Sequence, residues 1–335
     1  MKRFQTLSVL SLAALSLLAG CGPKTGTEPG PSAGAPAPAA DFKVALLTTG
    51  PVTDGGWNQS AYEGLMKIQK DLGAKVEKQE SLNSSQFEDA FRDFANQGYN
   101  VIFAHGDEFG PAAAKVAKQY PKVVFVTTGG TLSAANLVPI HLATEEGTYL
   151  QGMEAAFVSK SGKGGFIGGQ NFPPVKMAAD AFANGAKSVN PKFTFQTTYI
   201  NGWTDPVAAK AQTEAMLSSG ADVIAHNCDA AAKGMFDTAG TKPGVYTFGV
   251  NADENSKAPN VLSSAVLNVP KAFADIATEV KAGNFQGHPI SIGLKTGDVT
   301  LVDNPKLANV LTADQKAKIA AAAKDIEDGK IKVAP

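Results

Sequence analysis

Cysteine is nearly absent. Cys21 and Cys228 are the two in 335 residues, which excludes a disulfide-stapled scaffold. Charge of one sign is also missing. Lys plus Arg number 30 against 31 for Asp plus Glu, so the formal net charge is -1, without the local basic excess that a phosphate-tracking nucleic-acid binder needs. The apolar run Leu7–Leu18 is twelve residues long, too short for a bilayer, which takes ~20. Four histidines (His105, His141, His226, His288) fall into no H-E-x-x-H pattern, and no C-x-x-C or Walker spacing exists. The glycines of 162–169 precede a strand pattern instead of following one, and Ile167 holds the third glycine's place, so no dinucleotide fingerprint is present. His226, Cys228 and Asp229 imitate a metal site only on paper, because alternate residues of an extended segment point apart. Neither a metal nor a cofactor is expected. What remains is a chain that is 44% hydrophobic, too apolar for wholesale disorder and long enough for about two domains.

Lys2 and Arg3 lead into the short apolar run, and Leu18-Ala19-Gly20-Cys21 follows it. This is an export-signal pattern ending in small residues before a cysteine, so residues 1–20 are expected to be a signal peptide and Cys21 a lipidated N-terminus. Gly22–Ala40 holds five Pro, four Gly and five Ala, the composition of a disordered tether. Gly30-Pro31-Ser32-Ala33-Gly34 matches a nucleophile elbow, but that motif has meaning only between a strand and a helix.

From Phe42 onward, buried-strand runs alternate with helix patterns. Val44–Thr48, Val101–Ala104 and Val123–Thr127 read as strands; Ala61, Leu65, Ile68 and Leu72 share one helix face. Ser85 and Glu88 make a capping box before the helix of Phe87, Phe91 and Phe94. The grammar restarts with strands at Gly165–Gly168, Phe193–Ile200, Val223–Ala225 and Val245–Val250, and Asp205 caps a helix opened by Pro206. A strand at Leu262–Val266, a helix of Val269, Phe273, Ile276 and Val280, a strand at Ile290–Leu294 and a helix over Thr312–Asp328 close the chain. The fold class expected is α/β, two doubly wound parallel-sheet lobes joined by a hinge around a central cleft. The late strand and helix have to join one of the two sheets, and the lobes are expected at 42–162 plus about 260–288, and at 163–259 plus about 289–335.

Open parallel sheets bind ligands at the carboxyl ends of their strands. Those ends offer Asp54, Trp57 and Asn58; Asp107 and Glu108; Phe172; Trp203; Asn227 and Asp229; and Asn251 and Asp253. The two tryptophans sit one in each half, both in polar loops flanked by glycine. If the lobes close, the indoles can stack on opposite faces of one flat ligand, each adding roughly 0.5–1.5 kcal/mol beyond area burial. The alternative is that each ring plugs its own loop. The Asp and Asn residues suit hydroxyls and ring nitrogens, but they also cap helices and close turns.

The segment Asp54-Gly55-Gly56-Trp57-Asn58-Gln59-Ser60-Ala61-Tyr62-Glu63-Gly64 resembles the opening signature of the basic membrane protein family of lipoproteins. Val101–Phe109, Glu146–Gly152, Gly165–Gly169, Tyr199–Pro206 and Gly249–Asp253 resemble further blocks in the right order, over about Phe42–Leu301. The resemblance implies a type I periplasmic-binding-protein fold with three crossovers, delivering purine nucleosides to an ABC importer. It implies an aromatic sandwich of the base by Trp57 and Trp203, ribose hydroxyls held by Asp253, and ligand roles for Asn58 and Lys295. One departure stands out. An aspartate that reads the base edge in nucleoside-binding members is Pro111 here, which leaves Asp107 or Glu108 to take that role, or a ligand other than a common purine nucleoside.

The sequence therefore points to a monomeric, exported, lipid-anchored receptor in the cell envelope. It captures a purine nucleoside or related heterocycle and passes it to ABC permease subunits, without catalysis and without nucleic acid. The rivals are the same fold carrying a sugar or other small solute, an envelope nucleoside-processing enzyme, and a non-transport sensor lipoprotein.

Overall fold

A computed structural model describes residues 41–333. The expected signal peptide, Cys21 and the tether over 22–40 lie outside the described residues.

The inner strands of the first sheet are largely apolar because helices cover both faces of that sheet. In chain order the elements begin β1 (Lys43–Thr48), α1 (Trp57–Leu72), β2 (Lys75–Gln79), α2 (Phe87–Asn96), β3 (Val101–His105), α3 (Gly110–Ala117), β4 (Val124–Thr128) and β5 (Leu137–Leu142). The second half runs α4 (Thr144–Val158), β6 (Lys163–Gly168), α5 (Pro173–Val189), β7 (Thr194–Tyr199), α6 (Pro206–Ser218), β8 (Val223–Asn227), α7 (Lys233–Ala239), β9 (Tyr246–Asn251) and β10 (Val261–Leu267). It ends with α8 (Val269–Lys281), β11 (Ile290–Ile292), β12 (Val299–Asp303) and α9 (Ala313–Glu327).

The strands form two six-stranded sheets, ordered β11-β5-β4-β3-β1-β2 and β12-β10-β9-β8-β6-β7. Every pairing is parallel except β10 with β12. Two α/β lobes result, as the alternating pattern predicts.

The lobe boundaries need correction. β10 joins the second sheet, beside β9, although the sequence reading gave 260–288 to the first lobe. β11 joins the first sheet, in register Ile140↔Ile290, although 289–335 was given to the second. α4 leaves the first lobe as well: Gln151 donates from Nε2 to the Gly249 carbonyl of β9 at 2.8 Å. The amphipathic pattern identifies an element but carries no information on which of two similar sheets completes it. α8 does pack on the first lobe, where Phe273 stacks on Phe103 with centroids 4.1 Å apart.

The chain thus passes between lobes three times: after β5, after β10 and after β11. These crossings are tied together. Ala143 N donates to Ile292 O at 2.9 Å, and Asn268 N to Asp298 O at 2.6 Å. The Glu146 carboxylate accepts from Leu294 N at 2.7 Å.

One cap also moves. The box before α2 is Asn83 with Gln86, not Ser85 with Glu88. Glu88 is engaged elsewhere, by Arg92 at 2.8 Å and Lys115 at 2.7 Å, so it does not reach back to Ser85. The Asp205 cap is as expected: its Oδ1 accepts from Val207 N and Ala208 N.

Candidate functional site

The strand ends carry the strained backbone. Among the described residues, four that are not glycine take positive φ, namely Ser81 (60°), Asn201 (57°), Asp229 (47°) and Asn251 (67°). Each lies at or within two residues of the carboxyl end of a strand. Such conformations persist only where the surroundings enforce them, and they gather at functional sites.

Two of the four, Asp229 and Asn251, face one cavity of about 350 Å³. Its wall is contributed by Asp54, Gly55 and Gly56 from the β1–α1 loop of the first lobe. The second lobe supplies His226, Asp229, Asn251, Glu254 and Lys257, with α7 behind them. The volume lies in the small-molecule range. A site between lobes at strand ends is where this topology favours binding.

Asp54 is a structural keystone of the wall. Its carboxylate accepts from Gly56 N, Asn58 N, Gln59 N and Asn58 Nδ2 at 2.8–3.0 Å. It therefore satisfies backbone donors that the first turn of α1 would otherwise leave unpaired. Asn58 is buried, and its Oδ1 has no partner among the described residues.

His226 and Glu254 form a buried pair, Nε2 to Oε2 at 2.8 Å. Burial works against charge on the imidazole, but Glu254 outweighs it and holds the pKa up to about 10. Glu254 Oε2 also accepts from Val250 N at 3.0 Å. Asp229 is pushed up to about 7, by burial first and by the Asp54 carboxylate second. Cys228 Sγ lies 3.9 Å from His226 Nδ1, an order reminiscent of a thiol hydrolase. The thiol is 0% exposed and packs within the second lobe's core, away from the cavity, so it is not placed to attack a ligand there.

The two indoles are half-buried, each with one side on its own lobe. Trp57 stacks on His105 at 3.9 Å between centroids. His105 itself is buried, donor or acceptor to Thr128 Oγ1 at 3.0 Å, with its pKa lowered to about 3 by burial, so the ring beneath Trp57 is neutral. Trp203 lies over Gly169, where a Cβ would come within 2.2 Å of the indole, and 6.2 Å from Phe172 between centroids. Phe172 is 48% exposed. Neither indole lines the cavity.

Of the sequence-derived candidates, the structure brings Asp54, Asp229 and Asn251 together around the cavity. Asn227 ends β8 and is buried, its carbonyl accepting from Gly169 N at 2.8 Å. Asp107 and Glu108 are exposed in a turn after β3, Asp107 beneath Gly129. Asp253 is exposed, closes a turn on Asn255 N at 3.0 Å and does not line the cavity. Lys295 is exposed in the third crossing. Sequence reasoning missed Glu254 and left His226 as a failed metal ligand. The two are 28 residues apart, so only their shared location at strand ends could have signalled the pair.

Comparison with known proteins adds to this geometry. Residues 42–333 match the family described as ABC transporter substrate-binding protein PnrA-like. An ABC transporter nucleoside-binding protein of Lactococcus lactis is 30% identical over 99% of both chains. A purine-binding protein of Brucella abortus is 31% identical over 78% of this chain and 75% of its own. A transcriptional activator of Bacillus subtilis is 29% identical over 88% of this chain and 89% of its own. The solved solute-binding protein of an ABC transporter system from Aeropyrum pernix superposes with a TM-score of 0.78 at 21% identity, covering 88% of this chain and 94% of that one, which shows a shared fold.

Proposed function

Because the chain belongs to the Bmp family of ABC transporter substrate-binding proteins, we propose that it captures a purine nucleoside or a related nucleobase-like heterocycle between its lobes and delivers it to an ABC permease. The observation that carries this reading is the cavity of about 350 Å³ walled by both lobes, with Asp229 and Asn251 held in strained backbone at its surface. Acids and amides there fix ring nitrogens and hydroxyls by hydrogen bonds. The names of the Lactococcus and Brucella relatives support the ligand class. Trp57 and Trp203 supply the stacking faces, one from each lobe, and the three crossings act as the hinge that brings them together. Export and a lipid on Cys21 hold the receptor at the membrane near its permease.

Calorimetric titration with adenosine, guanosine and inosine tests the ligand class, with ribose and glucose as comparators. Binding of a nucleoside with none of the sugars is the expected result. Binding of a sugar alone overturns the nucleoside reading. Release of free base during the titration overturns the non-catalytic one.

A further inference from the structure

A second cavity, of about 410 Å³, shares no lining residue with the first. It lies where the third crossing enters the second lobe. The crossing and β12 line it with Leu294, Val299 and Leu301, and α4 lines it with Leu150. The C-terminal helix α9 contributes Ile319, Ala320 and Ala323. α9 is held to the lobe by Ile319, Ala322 and Ile326, which are buried, whereas Ala320 is exposed. Alanine at 320 keeps that side of the helix short and the cavity open to solvent.

One group interrupts this apolar lining from below. Glu154 of α4 is 1% exposed and lines the cavity. Ser263 Oγ donates to its Oε2, and its Oε1 takes no hydrogen bond among the described residues. A buried carboxyl is costly unless a donor or a counter-charge reaches it. The cations nearby are engaged elsewhere. Lys316 lines the same cavity, but its Nζ donates to Ala308 O at 2.7 Å and lies 4.0 Å from Asp303. Lys324 lies 2.9 Å from Asp328 and 3.4 Å from Glu327. The cavity therefore carries three carboxyls, those of Glu154, Asp303 and Glu327, against the one lysine. Burial pushes the Glu154 pKa up to about 8, with the Asp303 carboxylate adding to it, in keeping with an acid that has no cation of its own.

We propose that this cavity is a second binding site, for a small aliphatic amine whose ammonium group donates to Glu154 and whose hydrocarbon tail lies along Leu301, Ile319 and Ala320. An ammonium offers three donors and no acceptor, which suits a carboxylate with an oxygen to spare. A bond between two charged partners is also stronger than a neutral one. An alcohol of the same length fills the same volume but brings no charge, and a carboxylate of that length is repelled by the three acids. The site is separate from the cleft and does not depend on the nucleoside reading.

NMR titration of the full-length protein with hexylamine, 1-hexanol and hexanoate at about pH 9 tests the site. Glu154 is mostly ionised there, while an alkylamine, like lysine at about 10.4, keeps its proton. The methyl signals of Leu301 and Ile319 report occupancy. Hexylamine is expected to bind about ten-fold or more tightly than hexanol, the lower end for a hydrogen bond to a charged group, and hexanoate more weakly than either. Glu154→Gln keeps the shape without the charge and is expected to bring hexylamine and hexanol within about two-fold of each other. Ala320→Leu fills the cavity from an exposed position of α9. It is expected to weaken hexylamine about ten-fold or more with the melting temperature unchanged. Methyl signals that stay still under hexylamine overturn the inference. So do equal affinities for hexylamine and hexanol in the wild type, a Glu154→Gln variant that keeps the wild-type preference, and an Ala320→Leu variant that binds hexylamine as the wild type does. None of these outcomes bears on nucleoside binding in the cleft.

Discussion

Gly56 and Asp229 face each other across the cleft, the carboxylate oxygen 3.5 Å from where a side chain on Gly56 would begin. A methyl group fits at that distance and a longer side chain does not. Gly56→Ala is expected to leave ligand affinity within a factor of about two, whereas Gly56→Leu is expected to prop the lobes apart and weaken binding at least ten-fold, about 1.4 kcal/mol. Titration of both variants checks this, with melting temperatures to confirm that each is folded. Equal affinities for the two would show that the lobes do not need this close approach.

Trp57 offers one face to His105 and is half-buried. Trp57→Ala is expected to weaken nucleoside binding about ten-fold, on the order of 1.4 kcal/mol. Unchanged affinity by calorimetry would remove the stacking role and leave Trp57 as packing for its own lobe.

The buried His226–Glu254 pair ties stability to pH. The histidine pKa is raised from 6.5 to about 10, so its contribution is complete below pH 6.5 and is lost as pH climbs through 10. Breaking one partner of such a pair costs about 3–5 kcal/mol. Glu254→Gln is therefore expected to lower stability by that order at about pH 6, with the gap to wild type closing toward pH 10. Urea melts across that range measure it. A gap that stays constant with pH would mean the pair is not ionic.

Glu154 is buried against Ser263, and burial pushes its pKa up to about 8. A raised acid stabilises the fold below its unfolded pKa near 4.5, and that contribution drains away as pH rises through 8. Glu154→Gln keeps the shape without the titration. It is expected to match wild type at about pH 5 and to exceed it at about pH 9. Thermal melts showing the same difference at both pH values would contradict the assignment.

α4 and α5 cross at two glycines. A Cβ on Gly152 would fall 2.0 Å from Phe182 O, and one on Gly185 would fall 1.9 Å from Tyr149 O. Even alanine forces the helices apart. Gly152→Ala and Gly185→Ala are each expected to cost about 1–3 kcal/mol, as overpacking does. Urea midpoints equal to wild type would show that the crossing yields freely.

The sequence made the strands of the sheet interiors plain, because β1, β3, β4, β8 and β9 are apolar runs buried on both faces. β2 was missed: Lys75–Gln79 is a half-exposed edge strand rich in charge, indistinguishable from a solvated loop. β5 was missed because Pro139 lies inside it, paired opposite Thr127. A proline demotes a strand when read locally. β12 depends on an antiparallel partner far back in the chain. The candidate site divides the same way. Asp229 and Asn251 were legible from their place after strands. The function of Asp54 as the cap of α1 was not, since a helix-capping aspartate and a ligand-binding one look alike in sequence. The Asp229–Gly56 approach is between separate lobes, and no local pattern records it.

β11 completes the first sheet only at Ile290, long after its partner Ile140 has been made. On the ribosome, the earlier lobe must wait with an open edge at β5 while nearly the whole of its neighbour is synthesised. Neither half can be cut out as a continuous piece of gene, and truncation anywhere before Ile292 leaves that edge bare.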